Sequence, residues 1–409
     1  MSPRQKPRPE AQGREWDIVT VASRHLNTMG VSVEWFGEIA SELGISRPAL
    51  YNYVVDRDDL LFRCYLRSCE ALEVVLKRVT TANRDPIQVL DAFLTEASSP
   101  PAPETAVLSE IEALPPDRQA IIRARHDALV AWLSSIIGKG VAEGVFRPVN
   151  TEIVANAVLG MASWEPLHRR WTANTGPSLR AEDMKAVLFH GVAADPKASH
   201  AKPSCFVTAA PARIDIFDRR AMEGARREAI LTAASALFNR RGIGATRVED
   251  VGAAVGLSKR AIYHYIGDKG ALVDACARRA IRFYLDVMEA AERLPVTRLE
   301  AYFASVRDII ETFCDPERTV LVPYVGAGLL SADAQRTMTD FTQNLRAGYR
   351  GIFLDGQREG SIRPMQTDQV LSGLPGAFSW AASSLTPSIE VRRSIAEELA
   401  TLVVRGILA

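Results

Sequence analysis

The stretch IASELGISRPALYNY at Ile39–Tyr53 returns 212 positions later, without a gap, as VGAAVGLSKRAIYHY at Val251–Tyr265. A chain that repeats such a segment in register has to fold it twice. In copy one, apolar residues before the glycine (Ile39, Ala40, Leu43) and after it (Ile45, Ala49, Leu50) recur at helical spacing. The segment therefore reads as two short helices, each with one buried face. Gly44 and Gly256 fall where a tight turn needs positive φ, which costs glycine little. Ser46 and Ser258 suit the N-cap of the second helix, where a hydroxyl accepts an orphan backbone N–H. The face left over carries Arg47, Tyr51, Asn52 and Tyr53 in copy one, and Lys259, Arg260, Tyr263, His264 and Tyr265 in copy two. Cations, hydrogen-bonding groups and aromatics on one short helix suit phosphates and base edges.

The same offset holds from Arg14 to Cys69, with Ile18/Ile230, Asn27/Asn239, Gly30/Gly242, Gly44/Gly256, Tyr51/Tyr263, Tyr53/Tyr265 and Asp56/Asp268 identical. This is an internal duplication. Each copy opens with a helical pattern, Ile18-Ala22-Leu26-Met29 or Ile230-Ala234-Phe238, stopped by Gly30 or Gly242. After the repeated stretch, Asp56-Arg57-Asp58-Asp59 and Asp268-Lys269 start a further helix, acids there complementing the helix dipole. The remainder is helical and more divergent, so the fold class is all-α. Copy one shows helical patterns near 84–97 and 104–114, separated by the Pro-rich Ser98–Pro103 loop. A long helix follows Pro115-Pro116 and ends at Glu143-Gly144, and Thr151 caps the next. Copy two matches with Glu359-Gly360, Arg363-Pro364 and a Thr367 cap, now 216 positions on, and Trp164 and Trp380 keep that register. Pro375 is expected to kink its helix where Leu159 leaves the first straight. Last helices are expected near 181–193 and 388–408.

These signals divide the chain into a disordered basic arm (1–13), a helix-turn-helix domain (14–68), a helical body (69–193), a linker (194–218), a second helix-turn-helix domain (219–282) and a second body (283–409). A linker of about 25 residues reaches ~85 Å when extended, beyond the ~34–36 Å between adjacent half-sites on DNA. Formal net charge is zero, which argues against indiscriminate nucleic-acid binding. Its distribution is uneven: residues 1–68 carry nine Lys/Arg against nine Asp/Glu, and residues 213–282 fourteen against eight. The electrostatic footprint on DNA is expected to be heavier in the second copy. No run of eighteen apolar residues exists and the N-terminus has no apolar core, so neither a membrane span nor a secretory signal is expected. Five cysteines without a CxxC fit a reducing cytoplasm. Cys64 and Cys276, at equivalent positions, read as buried small hydrophobes, with a thiol sensor as the alternative.

An initial helix, a glycine, a helix-turn-helix ending in Tyr-x-Tyr and an acidic-basic helix start together resemble the TetR family of bacterial transcriptional regulators. The resemblance covers residues 14–68 and 226–282, and TRVEDVGAAVGLSKRAIYHYIGDKGAL follows the family pattern almost position by position. It implies two family-like units fused in tandem, each a three-helix DNA-binding head on an effector-binding body. The fused units would form an intramolecular pseudo-dimer through a bundle drawn from helices near 151–166, 181–193, 367–384 and 388–408. By position, Ser46, Arg47, Pro48, Ala49, Tyr51, Asn52 and Tyr53 would face double-stranded DNA in copy one, and Ser258, Lys259, Arg260, Ala261, Tyr263, His264 and Tyr265 in copy two. Arg57 and Lys269 fall at the family's phosphate-contacting lysine; Thr246 falls where the first helix of the motif is capped, with Arg247 beside it. Copy one departs with Glu34 and Trp35 opposite Thr246 and Arg247, and Pro48 opposite Arg260. Unequal heads and dissimilar half-sites are therefore expected. The resemblance also implies repression relieved by a small apolar or amphipathic effector. Phe93, Trp132, Trp164, Phe313, Phe341 and Trp380 are the candidate contacts, although aromatics at helical spacing are more often core. The Phe-Arg-Pro loop and Gly160–Trp164 are similar to family bodies that answer to acyl or steroid coenzyme A thioesters.

No enzyme, cofactor or metal is implied. The six histidines are scattered, and HExxH, GxSxG, P-loop and Rossmann patterns are all missing from the sequence. The competing reading is an interaction module, an antirepressor that pairs with other regulators without docking on DNA. The polar face of 258–265 speaks against it. Further self-association of the fused chain is left open.

Overall fold

The computed structural model describes residues 9–31, 35–98, 104–172, 176, 179–197, 203–205, 218–323 and 330–409. Every regular element among them is helical. The first half runs α1 (Pro9–Met29), α2 (Trp35–Glu42), α3 (Arg47–Leu50), α4 (Arg57–Ala82), α5 (Pro86–Ala97), α6 (Pro116–Ala142), α7 (Thr151–Ala162), α8 (Trp164–Trp171) and α9 (Ala181–His190). The second runs α10 (Arg219–Arg241), α11 (Val248–Ala254), α12 (Lys259–Ile266), α13 (Lys269–Arg293), α14 (Arg298–Cys314), α15 (Ala332–Glu359), α16 (Thr367–Gly373), α17 (Pro375–Phe378) and α18 (Ile389–Arg405).

Local chemistry sets the ends of these helices. The Asp56 and Asp268 carboxylates accept the Asp59 and Ala271 backbone N–H groups at 2.7 and 2.8 Å, starting α4 and α13. Both helices run straight through the expected head–body boundaries at 68/69 and 282/283, so each head is the near end of a rod whose far end lies in the body. Asn150 caps α7 and Gln366 precedes α16, which shifts the two expected threonine caps by one residue. Helix α1 already includes Pro9 to Gly13, where a disordered arm was expected; residues 1–8 of that arm lie outside the described residues.

The two halves do not have separate cores. Trp164 and Leu167 of α8 are buried in a cluster otherwise built by the second half, and Leu299, Tyr302, Val306 and Ile310 of α14 join the cluster of the first. Helix α7 packs on α17 and α18, and α9 on α16 and α18. Where α7 meets α17, a Cβ on Gly160 would lie 2.2 Å from the Gly376 carbonyl oxygen, so only a residue without a side chain fits this crossing. Around it the contacts are reciprocal. Phe146 bridges to Leu408 and Ala193 to Ile362. The Arg147 N–H donates to the Ile407 carbonyl at 2.9 Å, and that of Arg363 to Val192 at 3.0 Å. The same two arginines send Nε to the Gly406 and Gly191 carbonyls, at 2.8 and 2.7 Å. Gly160/Gly376, Phe146/Ile362 and Arg147/Arg363 are each 216 positions apart, and Gly191/Gly406 are 215 apart.

Three sequence expectations need correction. Residues 104–114 are not a helix but an extended strut with one 3-10 turn at Ile111–Ala113. Its polar groups are taken by other elements, which removes the reason to close local hydrogen bonds. The helix expected over 151–166 breaks at Ser163, and α8 starts anew at Trp164. The expected kink at Pro375 is a full break between α16 and α17. Of the linker, Ser204 and Cys205 hydrogen-bond Asp308 at 2.9 and 2.7 Å, and the Ala194 N–H reaches the Ser361 carbonyl at 2.9 Å; residues 198–202 and 206–217 lie outside the described residues.

Candidate nucleic-acid interface

Helices α11 and α12 form the second helix-turn-helix, with Gly256 at φ 69° in the turn and the Ser258 hydroxyl accepting the Ala261 N–H at 3.3 Å. Ile262 anchors α12 in the core, while Lys259, Arg260, Tyr263 and His264 are exposed. Lys259 reaches Glu249 on α11 at 2.5 Å and lies 5.8 Å from the Tyr263 ring. The hydrogen bond to Glu249 holds the lysine above its ordinary range. Tyr265 is half-buried, and Arg226 donates to its hydroxyl at 2.9 Å. Arg226 on α10 thus braces the end of the recognition helix, a contact that no local sequence pattern announces.

The first head differs. Gly44 turns at φ 64°, and the Ser46 hydroxyl caps by accepting the Ala49 N–H at 3.3 Å. Yet α3 is only four residues long, against eight in α12. Tyr51, Asn52 and Tyr53, expected on the recognition helix, sit in a tight turn with bonds of the i to i−3 kind to Pro48, Ala49 and Leu50. Helix α12 ends on Gly267 at φ 97°, a conformation glycine alone adopts readily. Copy one has Val55 there, so that ending is closed to it. Tyr51 remains exposed and stacks 5.4 Å from Phe36, Tyr53 is half-buried, and Arg47, Pro48 and Asn52 are exposed. Ala49 and Ala261 are both partly buried on the inner edge.

Thr246 is a correction. It is buried, its hydroxyl donates to the Gly242 carbonyl at 2.8 Å, and the residue before α11 is the exposed Arg247. Lys269 points back to the Gly244 carbonyl at 3.3 Å, and burial lowers its pKa; Arg57 lies beside Asp58 at 3.4 Å. Trp35 is fully buried, and Glu34 lies outside the described residues. Cys64 and Cys276 are buried, and burial lifts both thiols to about 12, the opposite of what a reactive thiolate needs.

Both heads are tied to the bodies by the same device. The Asn27 side chain donates to the Thr105 carbonyl and accepts the Val107 N–H, at 2.8 and 2.9 Å. Asn239 does the same to Val320 and Val322, at 2.8 and 3.0 Å. The strut adds links that join the heads to each other. Buried Glu110 accepts the Val31 N–H at 2.7 Å and lies against Gly30 and Gly242, the ends of α1 and α10. Burial raises its pKa against the opposing pull of Arg170. Glu112 binds Arg240 through Nε and an Nη at 2.9 and 2.8 Å.

Two cavities lie below the heads. One is lined by Tyr284, Phe313, Leu345, Leu374 and Phe378 of the second half and by Trp164 and Trp171 of the first. The other is bounded by strut residues Val107–Ser109, by His126 and Asn156, and by Trp380 of the second half. Each cavity thus receives the tryptophan of the opposite half. Of the candidate effector contacts, Trp164, Phe313 and Trp380 line these cavities; Phe93 and Phe341 are buried and Trp132 partly buried, and none of the three is on either wall.

The family model for bacterial regulatory proteins of the tetR family matches residues 230–276, and the model for tetracyclin repressor-like C-terminal domains matches residues 88–188. Both models describe parts of TetR-family regulators. The head of the second copy and the body of the first are the parts matched. Among curated relatives, the HTH-type transcriptional repressor KstR2 of two Mycobacterium tuberculosis strains (CDC 1551 / Oshkosh and ATCC 25618 / H37Rv) is 26% identical over 143 residues, covering 34% of this chain and 70% of the relative. Among solved structures, apo AibR is 25% identical, covers 43% of this chain and 98% of its own, and has a TM-score of 0.36. AibR in complex with isovaleryl coenzyme A and operator DNA gives 24%, 42%, 94% and 0.36. No helix among the described residues is long and apolar enough to cross a membrane, and no three His, Cys, Asp or Glu side chains among them gather as for a metal.

Proposed function

We propose that this TetR-family regulator is a ligand-responsive repressor in which two fused units pair within one chain and present two unequal heads to DNA. The observation that carries the reading is the reciprocity of the contacts around Gly160 and Gly376. A surface in which residue i meets j while the equivalent of i meets the equivalent of j is what a two-fold interface produces. Repression follows the name of the curated relative. Head two is the principal reader: α12 is complete and exposes Lys259, Arg260, Tyr263 and His264. Head one offers Arg47, Tyr51 and Asn52 from a truncated helix, and serves at least as the pairing partner. DNA release would follow from a ligand lodged beside the segments that hold the heads: Asn239 ties head two to Val320 and Val322, next to Pro323 on a cavity wall, and Asn27, Glu110 and Glu112 tie the strut to both heads. A ligand need favour the non-binding arrangement by only a few kcal/mol.

The test is selection of duplexes from a random pool, followed by affinity against salt for the intact chain, Lys259→Ala/Arg260→Ala and Arg47→Ala. The double variant is expected to weaken binding at least tenfold and flatten the salt slope by about two, with a smaller effect of Arg47→Ala. Failure to enrich any sequence would turn the assignment to an interaction module.

A further inference from the structure

The two cavities are built on equivalent helices, but their hydrogen-bond donors differ. In the second half Arg346 lines the cavity and makes no hydrogen bond or ion pair among the described residues. The nearby carboxylate of Asp368 is engaged by Arg350 at 3.3 Å. A half-buried guanidinium with no protein partner at an apolar wall offers a charge-assisted donor to an anion. Two more donors reach the same cavity. Trp171 Nε1 is buried without a hydrogen bond, and the Tyr349 hydroxyl has no partner of good geometry, with Ser305 its nearest candidate. No Asp or Glu is among the lining residues.

The duplication supplies a control. Counting back 216 positions, the spacing of Trp164 and Trp380, Arg346 falls on Val130 and Tyr349 on Leu133, both buried; counting forward, Trp171 falls on Pro387. All three donors are therefore peculiar to one cavity. Among its described lining residues the other holds no arginine or lysine, and one of its polar side chains, Asn239, is already committed to Val320 and Val322.

We infer that the chain takes up a single ligand, in the cavity of its second half, and that this ligand is an apolar carboxylate. Its head meets Arg346 and its tail lies among Phe313, Leu345, Leu374 and Phe378. Trp164 and Trp171 close the cavity from the first half, so one ligand touches both halves and bears on the pairing geometry that sets the heads. The inference rests on the ligand-responsive reading above but not on DNA binding.

Calorimetric titration of the full chain without DNA tests it, with decanoate as probe and 1-decanol as its neutral counterpart. One decanoate per chain is expected, with decanol at least tenfold weaker. Arg346→Gln should bring decanoate down to the level of decanol and leave decanol unchanged. Arg346→Lys, which keeps the charge, should retain most of the difference and so separates loss of the anchor from misfolding. Two equivalents per chain, equal affinity for acid and alcohol, indifference to Arg346→Gln, or no uptake of decanoate would each overturn it. Loss of DNA selection in the earlier experiment would leave these expectations standing, so the two failures are distinguishable.

Discussion

At the scale of single residues, Val55 and Gly267 explain most of the difference between the heads. The repeat makes them equivalent, and only the glycine can end a recognition helix at φ 97°. Gly267→Ala is expected to cost about 1–3 kcal/mol of stability and to lower DNA affinity, whereas Val55→Gly leaves stability within about 1 kcal/mol; urea unfolding reads both. His168 gives a second residue-scale prediction. Its ring is buried with an unpartnered Nε2, and burial, followed by Arg346, pushes its pKa down to about 4. The folded state therefore binds fewer protons than the unfolded one between the ordinary histidine value and about 4. Stability falls through that window as pH drops, by roughly 1.4 kcal/mol per pH unit for one such group. Denaturation midpoints measured from pH 7 to 4.5 are expected to decline more steeply in the wild type than in His168→Gln. Both residues are visible in the sequence, but one took its meaning from the paired position and the other from neighbours far along the chain.

At the scale of elements, helices with strong periodicity and local caps were legible: α1 and α10 end at Gly30 and Gly242, α4 and α13 start at Asp56 and Asp268, α6 runs from Pro116 to the Gly144 stop, and α15 ends at Gly360. The strut over 104–114 was misread as a helix because its apolar spacing satisfies a helical pattern, while its actual partners are Asn27, Val31 and Arg240. Nothing local encodes such partners. The crossing of α7 and α17 was also hidden, since Gly160 and Gly376 are unremarkable until their backbones meet. Gly160→Ala places a Cβ 2.2 Å from a carbonyl oxygen, and a cost of about 1–3 kcal/mol is expected from the forced shift. Gly138→Ala, in α6 with nothing within 4 Å of the added methyl, is expected to stabilise by up to about 1 kcal/mol. Thermal denaturation of the pair separates packing at the crossing from general helix propensity.

At the scale of the whole molecule, the duplication was legible from the heads alone, and what it builds was not. Trp164 buried in the second cluster and the exchange of tryptophans between cavities join the two halves, and the bridges of Phe146 with Leu408 and Ala193 with Ile362 join residues more than 160 positions apart. Interleaved cores of this kind imply that neither half is stable without the other. Separate expression of residues 1–197 and 218–409 is expected to give products that fold only when combined, as circular dichroism would register.

On the proposed function, one chain is a two-headed reader with unlike heads. The mass of the complex on a selected duplex tests it most directly, together with the symmetry of the selected sequence. One chain per duplex and half-sites that differ are expected. Two chains bound across a perfect palindrome would contradict it.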